Sequence, residues 1–197
     1  MRITKTKILI AFGALILIVV LVLALSFLKS QKPSTSSSQA WPENQACIKE
    51  TKEMIVRGDS LSGVIEDGAT VKILFGVYDC NPVERGDIVI YKYAGNADPI
   101  IKIIRAVSGD GFKLNKAKNG AGWNILVNGE VLKNSKGEDY IIDDRGYRLL
   151  ALYERDYEGI IPDGGYLILG NLSSGSTDST QFGLVAKGGI LGKVVLP

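Results

Sequence analysis

Apolar positions follow two different patterns along this chain. Ile8 to Leu28 is one run of apolar and small residues, broken only by Ser26 near its end. At about 1.5 Å rise per residue, such a run is long enough to cross a bilayer core of about 30 Å, and it predicts a transmembrane helix over 8–28. A cleaved leader would have a shorter apolar region followed by a small-residue cleavage site. Here the run is longer and continues into Lys29-Ser30, so a retained anchor is expected. Beyond Glu53 the pattern changes to short bursts rich in Val, Ile and Tyr between glycine-bearing turns. Strands are predicted at Thr70–Val77, Asp87–Tyr93, Pro99–Val107, Asn124–Val127, Tyr166–Leu169 and Ile190–Leu196. Asn128-Gly129 between Ile125-Leu126-Val127 and Glu130-Val131-Leu132 predicts a two-residue hairpin, because a type I′ turn needs positive φ at both central positions. Tyr147–Tyr157 lacks breakers and predicts a short helix. Pro162-Asp163-Gly164-Gly165 makes a turn. The expected architecture is a mainly β, antiparallel, barrel-like domain with minor helix over 46–197. A short basic segment 1–7, the span 8–28 and a Ser/Pro-rich tether 29–45 precede it.

Charge gives the span a direction. The chain has 23 Lys+Arg and 21 Asp+Glu, a formal net charge of +2. Residues 1–32 hold Arg2, Lys5, Lys7, Lys29 and Lys32 and no acid. The basic excess lies before the span, so that side is expected in the cytoplasm and the bulk of the chain outside it, with a cell-membrane location. The rest of the chain is slightly acidic and has no basic block, which argues against a nucleic-acid partner. Cys47 and Cys80 fall in the outer part. They could form a disulfide in an oxidising compartment or remain two buried thiols; sequence leaves both open because it does not give their separation.

The candidate chemistry begins with an absence. There is no histidine in the chain. This excludes Ser-His-Asp and Cys-His arrangements and, with only two cysteines, argues against a zinc site; no metal or cofactor is expected. A lysine then becomes the main option for a general base. In Ile100-Ile101-Lys102-Ile103-Ile104, strand alternation puts Lys102 on one face with Ile100 and Ile104. Taken alone, the stretch also fits a surface strand whose lysine stem covers apolar neighbours while its charge reaches water. If buried, the ammonium is disfavoured and the lysine's pKa falls from about 10.4 toward neutrality. A serine partner is available in Arg57-Gly58-Asp59-Ser60-Leu61-Ser62-Gly63, which leaves the short run Met54-Ile55-Val56 and enters a turn. Gly58 would let the backbone approach a substrate closely. Serine with lysine is one of the known nucleophile–base pairings.

Four ordered blocks sharpen this reading. They are Gly58-Asp59-Ser60-Leu61-Ser62-Gly63, Arg85-Gly86-Asp87-Ile88-Val89-Ile90-Tyr91, Lys102 through Ser108-Gly109-Asp110, and Gly170-Asn171 through Ser176-Thr177-Asp178-Ser179 to Gly183. In this order, behind an anchor of this orientation, the chain resembles the type I signal peptidases, membrane-anchored Ser-Lys leader peptidases. The resemblance implies Ser60 as nucleophile and Lys102 as base. It implies Ser176 orienting Lys102, Asp178 supporting that loop without touching the ammonium, and the Ser60 backbone N–H binding the oxyanion. Gly58 stands where some members supply a second hydroxyl donor, so a backbone group or water would take that part. Arg85, Asp87 and Asp110 are expected in structural roles at turns and strand ends, and Trp41 and Trp123 in packing. The implied partners are the bilayer and exported preproteins with small residues at −1 and −3, added as an extended strand.

The departures from the family pattern are Leu61 for Met, Gly63 for Pro, Ile103 for Arg, Ser108 for Pro, Asn171-Leu172 for Asp-Asn and Thr180 for Arg. The last removes an ion-pair partner of Asp178. Two other readings remain at this point. One is a Ser-Lys maturation peptidase for a dedicated substrate of conjugative-pilin type. The other is a non-catalytic anchored binding domain that keeps the fold.

Overall fold

The computed structural model describes residues 45–93, 98–118 and 120–196. The basic segment 1–7, the apolar span 8–28 and all but the last residue of the tether 29–45 lie outside the described residues, as does Trp41. No described helix is long and apolar enough to cross a membrane.

Eleven strands and two α-helices make up the described part. The strands are β1 Glu50–Ile55, β2 Thr70–Phe75, β3 Ile88–Tyr91, β4 Ile100–Ala106, β5 Phe112–Lys116, β6 Trp123–Val127, β7 Glu130–Val131, β8 Ile141–Ile142, β9 Gly165–Leu169, β10 Val185–Ala186 and β11 Ile190–Val195. The helices are α1 Asp144–Asp156 and α2 Ser179–Phe182. Every strand pairing is antiparallel. One sheet runs β1-β2-β11-β3-β4-β9-β10; the other runs β5-β6-β7 with β8 also on β6. The expectation of a mainly antiparallel β domain with minor helix therefore holds.

Each of the six predicted strands is found, trimmed by a residue or two at its ends, apart from small extensions at Trp123 and Gly165. Asn128 and Gly129 have φ of 52° and 85° and connect β6 to β7, as the hairpin signal required. The helix starts earlier than predicted. Asp143 caps it by accepting a 2.7 Å hydrogen bond from the Gly146 N–H. Its first turn therefore covers residues that read as a loop in sequence.

Period-two patterning supplies the core on both faces of the large sheet. Ile88, Ile90 and Ile103 face a cluster containing Val56, Leu61 and Ile65. Val89 and Ile104 face the opposite way, toward Leu74, Tyr78 and Ile168. A third cluster joins β5 and β6 to α1 and β9 through Phe112, Ile125, Leu150 and Leu167. Trp123 packs flat on Tyr147, with ring centroids 3.5 Å apart. Asp87 is buried where Tyr78 donates to it at 2.8 Å and Lys193 pairs with it. Arg85 pairs with Asp110 at 3.3 Å, and Asp110 accepts the Val107 N–H at 2.8 Å. These are structural roles at turns and strand ends.

The topology has one consequence for the site. The β1–β2 connection carries Ser60 and β4 carries Lys102, and β2 meets β3 only through β11, which pairs with both. The C-terminal strand thus joins the two halves. At the other end of β1, Cys47 and Cys80 form a disulfide with Cα atoms 6.0 Å apart, which closes the two open readings in favour of the bridge. It encloses β1, the Ser60 turn and β2 within a separation of 33 residues. Cross-linking a loop of this size restricts the unfolded chain. We expect Cys47→Ala/Cys80→Ala to lose about 2–4 kcal/mol of stability, read as a lower urea midpoint.

Candidate active site

Ser60 sits at the start of a tight turn. After β1, Val56 is buried and the chain turns at Gly58, whose φ is +93°. Open space lies where a Cβ at Gly58 would be, and the Gly58 N–H donates to Asp67 Oδ1 at 2.8 Å. Behind Ser60 the turn is held by the Ser62 N–H to Asp59 O and by the Val64 and Ile65 N–H groups to Leu61 O, each at 2.9 Å. Leu61 and Ile65 anchor it, being 1% and 3% exposed. Ser60 itself is half-buried. Its backbone N–H donates to no acceptor among the described residues. A free N–H beside a half-exposed hydroxyl is what an oxyanion needs.

Lys102 comes to this serine from β4. It lies opposite Val89 on β3 and is 4% exposed. Its Nζ is 2.9 Å from Ser60 Oγ and donates to Ile101 O at 2.8 Å. No carboxylate among the described residues lies within ion-pair distance of it. Burial pushes the Lys102 pKa below the ordinary lysine value, and the charge of Asp178 opposes that fall in part. The sequence reading named Ile100 and Ile104 as the residues that dry this lysine. Ile104 is fully buried, whereas Ile100 is only half-buried and lines the cleft beside Lys102.

The fourth block folds back over the pair. Gly170 follows β9, and a Cβ there would stand 2.6 Å from Ser176 Oγ and 2.7 Å from Ser60 O. Ser176 is thus packed beside the nucleophile's carbonyl. Its Oγ is buried and has no hydrogen-bond partner among the described residues, so no bond joins it to Lys102 here. Asp178 is fully buried. Its Oδ2 accepts from the Gly170 N–H at 2.9 Å and Tyr140 Oη at 3.2 Å; its Oδ1 accepts from the Thr180 N–H at 3.0 Å and Thr180 Oγ1 at 2.7 Å. Four donors therefore satisfy the carboxylate in place of the missing arginine. Thr180, which read as a loss in sequence, supplies two of them.

Ser60 and Lys102 open onto a cleft of about 360 Å³ with apolar walls that include Met54, Val56, Leu61, Ile90 and Ile101. β1 forms its rim. Among the described residues β1 pairs only with β2 and its other edge meets no strand, and Ile55 on it is 58% exposed. A wider groove of about 730 Å³ between α1 and the β5–β6 pair shares no residue with this cleft.

The structure brings Ser60, Gly58 and Lys102 together at one cleft and packs Ser176 and Asp178 behind them. Sequence reasoning missed Tyr140 and Asn171. Tyr140 lies outside every block and acts from 38 residues away. Asn171 was noted only as a departure, yet it hydrogen-bonds to the Ser60 turn.

Comparison with known proteins identifies the family. The family model described as "Signal peptidase, peptidase S26" matches residues 5–197. Signal peptidase IB of Staphylococcus aureus is 30% identical over 148 residues, covering 71% of this chain and 73% of its own. Signal peptidase I of Bacillus caldolyticus is 26% identical over 173 residues, covering 83% of this chain and 91% of its own. A crystal structure of a signal peptidase I from Enterococcus faecalis is similar at 22% identity and a TM-score of 0.42, covering 58% of this chain and 98% of that one.

The charge balance around Lys102 yields a test. The nearby negative charge of Asp178 favours the ammonium. Removing it in Asp178→Asn should lower the Lys102 pKa further, so that the amine becomes neutral at lower pH. Side-chain NMR titration of Lys102 Nζ in the two proteins checks the direction; an unchanged or raised value contradicts it.

Proposed function

The chain belongs to the signal peptidase family, peptidase S26, and on that premise we propose that it is a membrane-anchored serine endopeptidase that removes signal peptides from exported preproteins with a Ser60–Lys102 dyad. The observation that carries this reading is the 2.9 Å contact between Lys102 Nζ and Ser60 Oγ at a cleft, in a chain without histidine.

Neutral Lys102 accepts the Ser60 hydroxyl proton as Oγ attacks the scissile carbonyl. The tetrahedral oxyanion takes the Ser60 N–H, which has no other acceptor among the described residues. Open space at Gly58 lets the substrate backbone approach there. Lys102, now an ammonium, returns the proton to the leaving amine, and an acyl-enzyme on Ser60 remains. Water, deprotonated by Lys102, then releases the mature chain's cleaved leader and restores the serine. Ser176 Oγ, buried beside Ser60 O without a partner among the described residues, orients this pair. Asp178 supports the loop while its four hydrogen bonds hold it off the lysine.

The substrate is an exported preprotein with small residues at −1 and −3. It lies extended along the free edge of β1, where main-chain bonds supply affinity and shallow pockets select side chains. The span 8–28 holds the enzyme in the cell membrane, with residues 1–7 cytoplasmic and the catalytic domain outside.

Ser60→Ala and Lys102→Ala should each lower preprotein cleavage in detergent by about four orders of magnitude. Lys102→Arg should fail equally, because arginine stays protonated. Cleavage at the wild-type rate by either alanine variant would sink the mechanism. A folded wild type that cuts none of several preproteins would favour the anchored binding-domain reading instead.

A further inference from the structure

Two departures from the family pattern, Gly63 and Asn171, meet in one hydrogen-bonded cluster under the Ser60 turn. Asn171 is 2% exposed. Its backbone N–H donates to Ser60 O at 2.6 Å. Its side-chain Nδ2 donates to Ser62 O at 2.7 Å and to Ser135 Oγ at 2.8 Å, and its Oδ1 accepts from the Ser135 N–H at 2.9 Å. Ser135 belongs to the turn between β7 and β8, so this one side chain ties three chain segments together.

The chemistry selects the residue type. An aspartate at 171 has no side-chain donor to offer Ser62 O. The close packing also selects its neighbour. A Cβ on Gly63 would lie 2.7 Å from Ser135 Oγ and 3.2 Å from Asn171 Nδ2, and Gly63 has φ of +88°, which proline is unable to adopt. Gly63 and Asn171 are thus two parts of one arrangement, with Ser135 as its third.

We propose that Asn171 is a positioning residue for the nucleophile. Its side chain holds the Ser62 carbonyl while its backbone N–H, with that of Leu172 at 3.2 Å, holds the Ser60 carbonyl, and together these bonds set the peptide planes on either side of buried Leu61. Those planes aim Ser60 Oγ at Lys102 and leave the Ser60 N–H facing the cleft. The inference rests on the Ser60–Lys102 reading and explains how a chain with these departures keeps an ordered nucleophile.

The test uses the full-length protein in detergent with a preprotein substrate. It measures kcat and KM separately, the thermal midpoint and the rate of Ser60 labelling by a small acylating reagent. Asn171→Ala should lower kcat and the labelling rate about 10–100-fold with KM little changed, since small misplacements of a reacting group have effects of this size. Ser135→Ala, which removes one acceptor at an exposed turn, should lower both less, and Ser135→Thr, which keeps the hydroxyl, should restore them. Asn171→Asp, which has no donor for Ser62 O, should lower kcat and the labelling rate in the same direction as Asn171→Ala. If Asn171→Ala does not fold, Asn171→Asp and the Ser135 pair decide. The proposal is overturned by variants with wild-type kcat and labelling rate while Ser60→Ala is inactive. It is overturned equally by activity losses that vanish below the lowered thermal midpoint. An active Ser60→Ala would instead overturn the dyad reading beneath it.

Discussion

A lysine buried without a counter-ion among the described residues is the constraint on which the site depends. An ammonium taken out of water loses several kcal/mol of solvation unless it is paired, so such a group neutralises instead. Lys102 is 4% exposed, with a hydroxyl and a backbone carbonyl as its polar neighbours. A carboxylate in contact would relieve the burial and hold the amine as an ammonium. The nearest threat is Asp178, whose charge already works against the lysine's lowered pKa. The fold contains it by saturating its oxygens with Gly170, Tyr140 and both donors of Thr180. Each carboxylate oxygen thus has two donors of its own, and none of them is the amine.

Much of this was legible in the sequence, and the failures have physical causes. Strands with one or both faces buried, such as β3 and β4, declare themselves through Val and Ile. β1 does not: five of its six residues are exposed, and Glu50-Thr51-Lys52-Glu53 carries no apolar alternation because it is an edge. β7, β8 and β10 are two residues each, too short to show a period. The start of α1 was hidden because Asp143, Asp144 and Gly146 look like a turn until the cap is seen. The meeting of Ser60 and Lys102 was foreseeable because the absence of histidine narrowed the choice and the blocks supplied the order. The residues that replace the missing motif positions were not. Thr180, Tyr140, Ser135 and Asn171 work through hydrogen bonds, some spanning 36 to 109 positions, and no local pattern announces such a contact.

The departures from the family pattern therefore read differently in three dimensions. As a string, losing Arg at 180 and Asp at 171 looks like decay. In the fold, each position is occupied by a group whose donors and acceptors are matched. A buried polar cluster is stable only when its members are satisfied together, so such substitutions come as sets. The buried Ser176 Oγ is an exception. It sits beside Ser60 O, where an arriving substrate or a moving amine would find it.

The position of β11 also governs when the site exists. Ser60 and Lys102 belong to hairpins that form early in the chain, but β2 and β3 have no contact across the sheet until β11 lies between them. Pairing segments so distant in sequence is slow, because loop-closure entropy opposes it before the contacts form. A chain emerging from its amino terminus would hold both reactive side chains long before it held them together. Contact between Ser60 and Lys102 is thereby deferred until β11 is made, and a chain truncated before it carries the serine and the lysine on two hairpins that no strand joins.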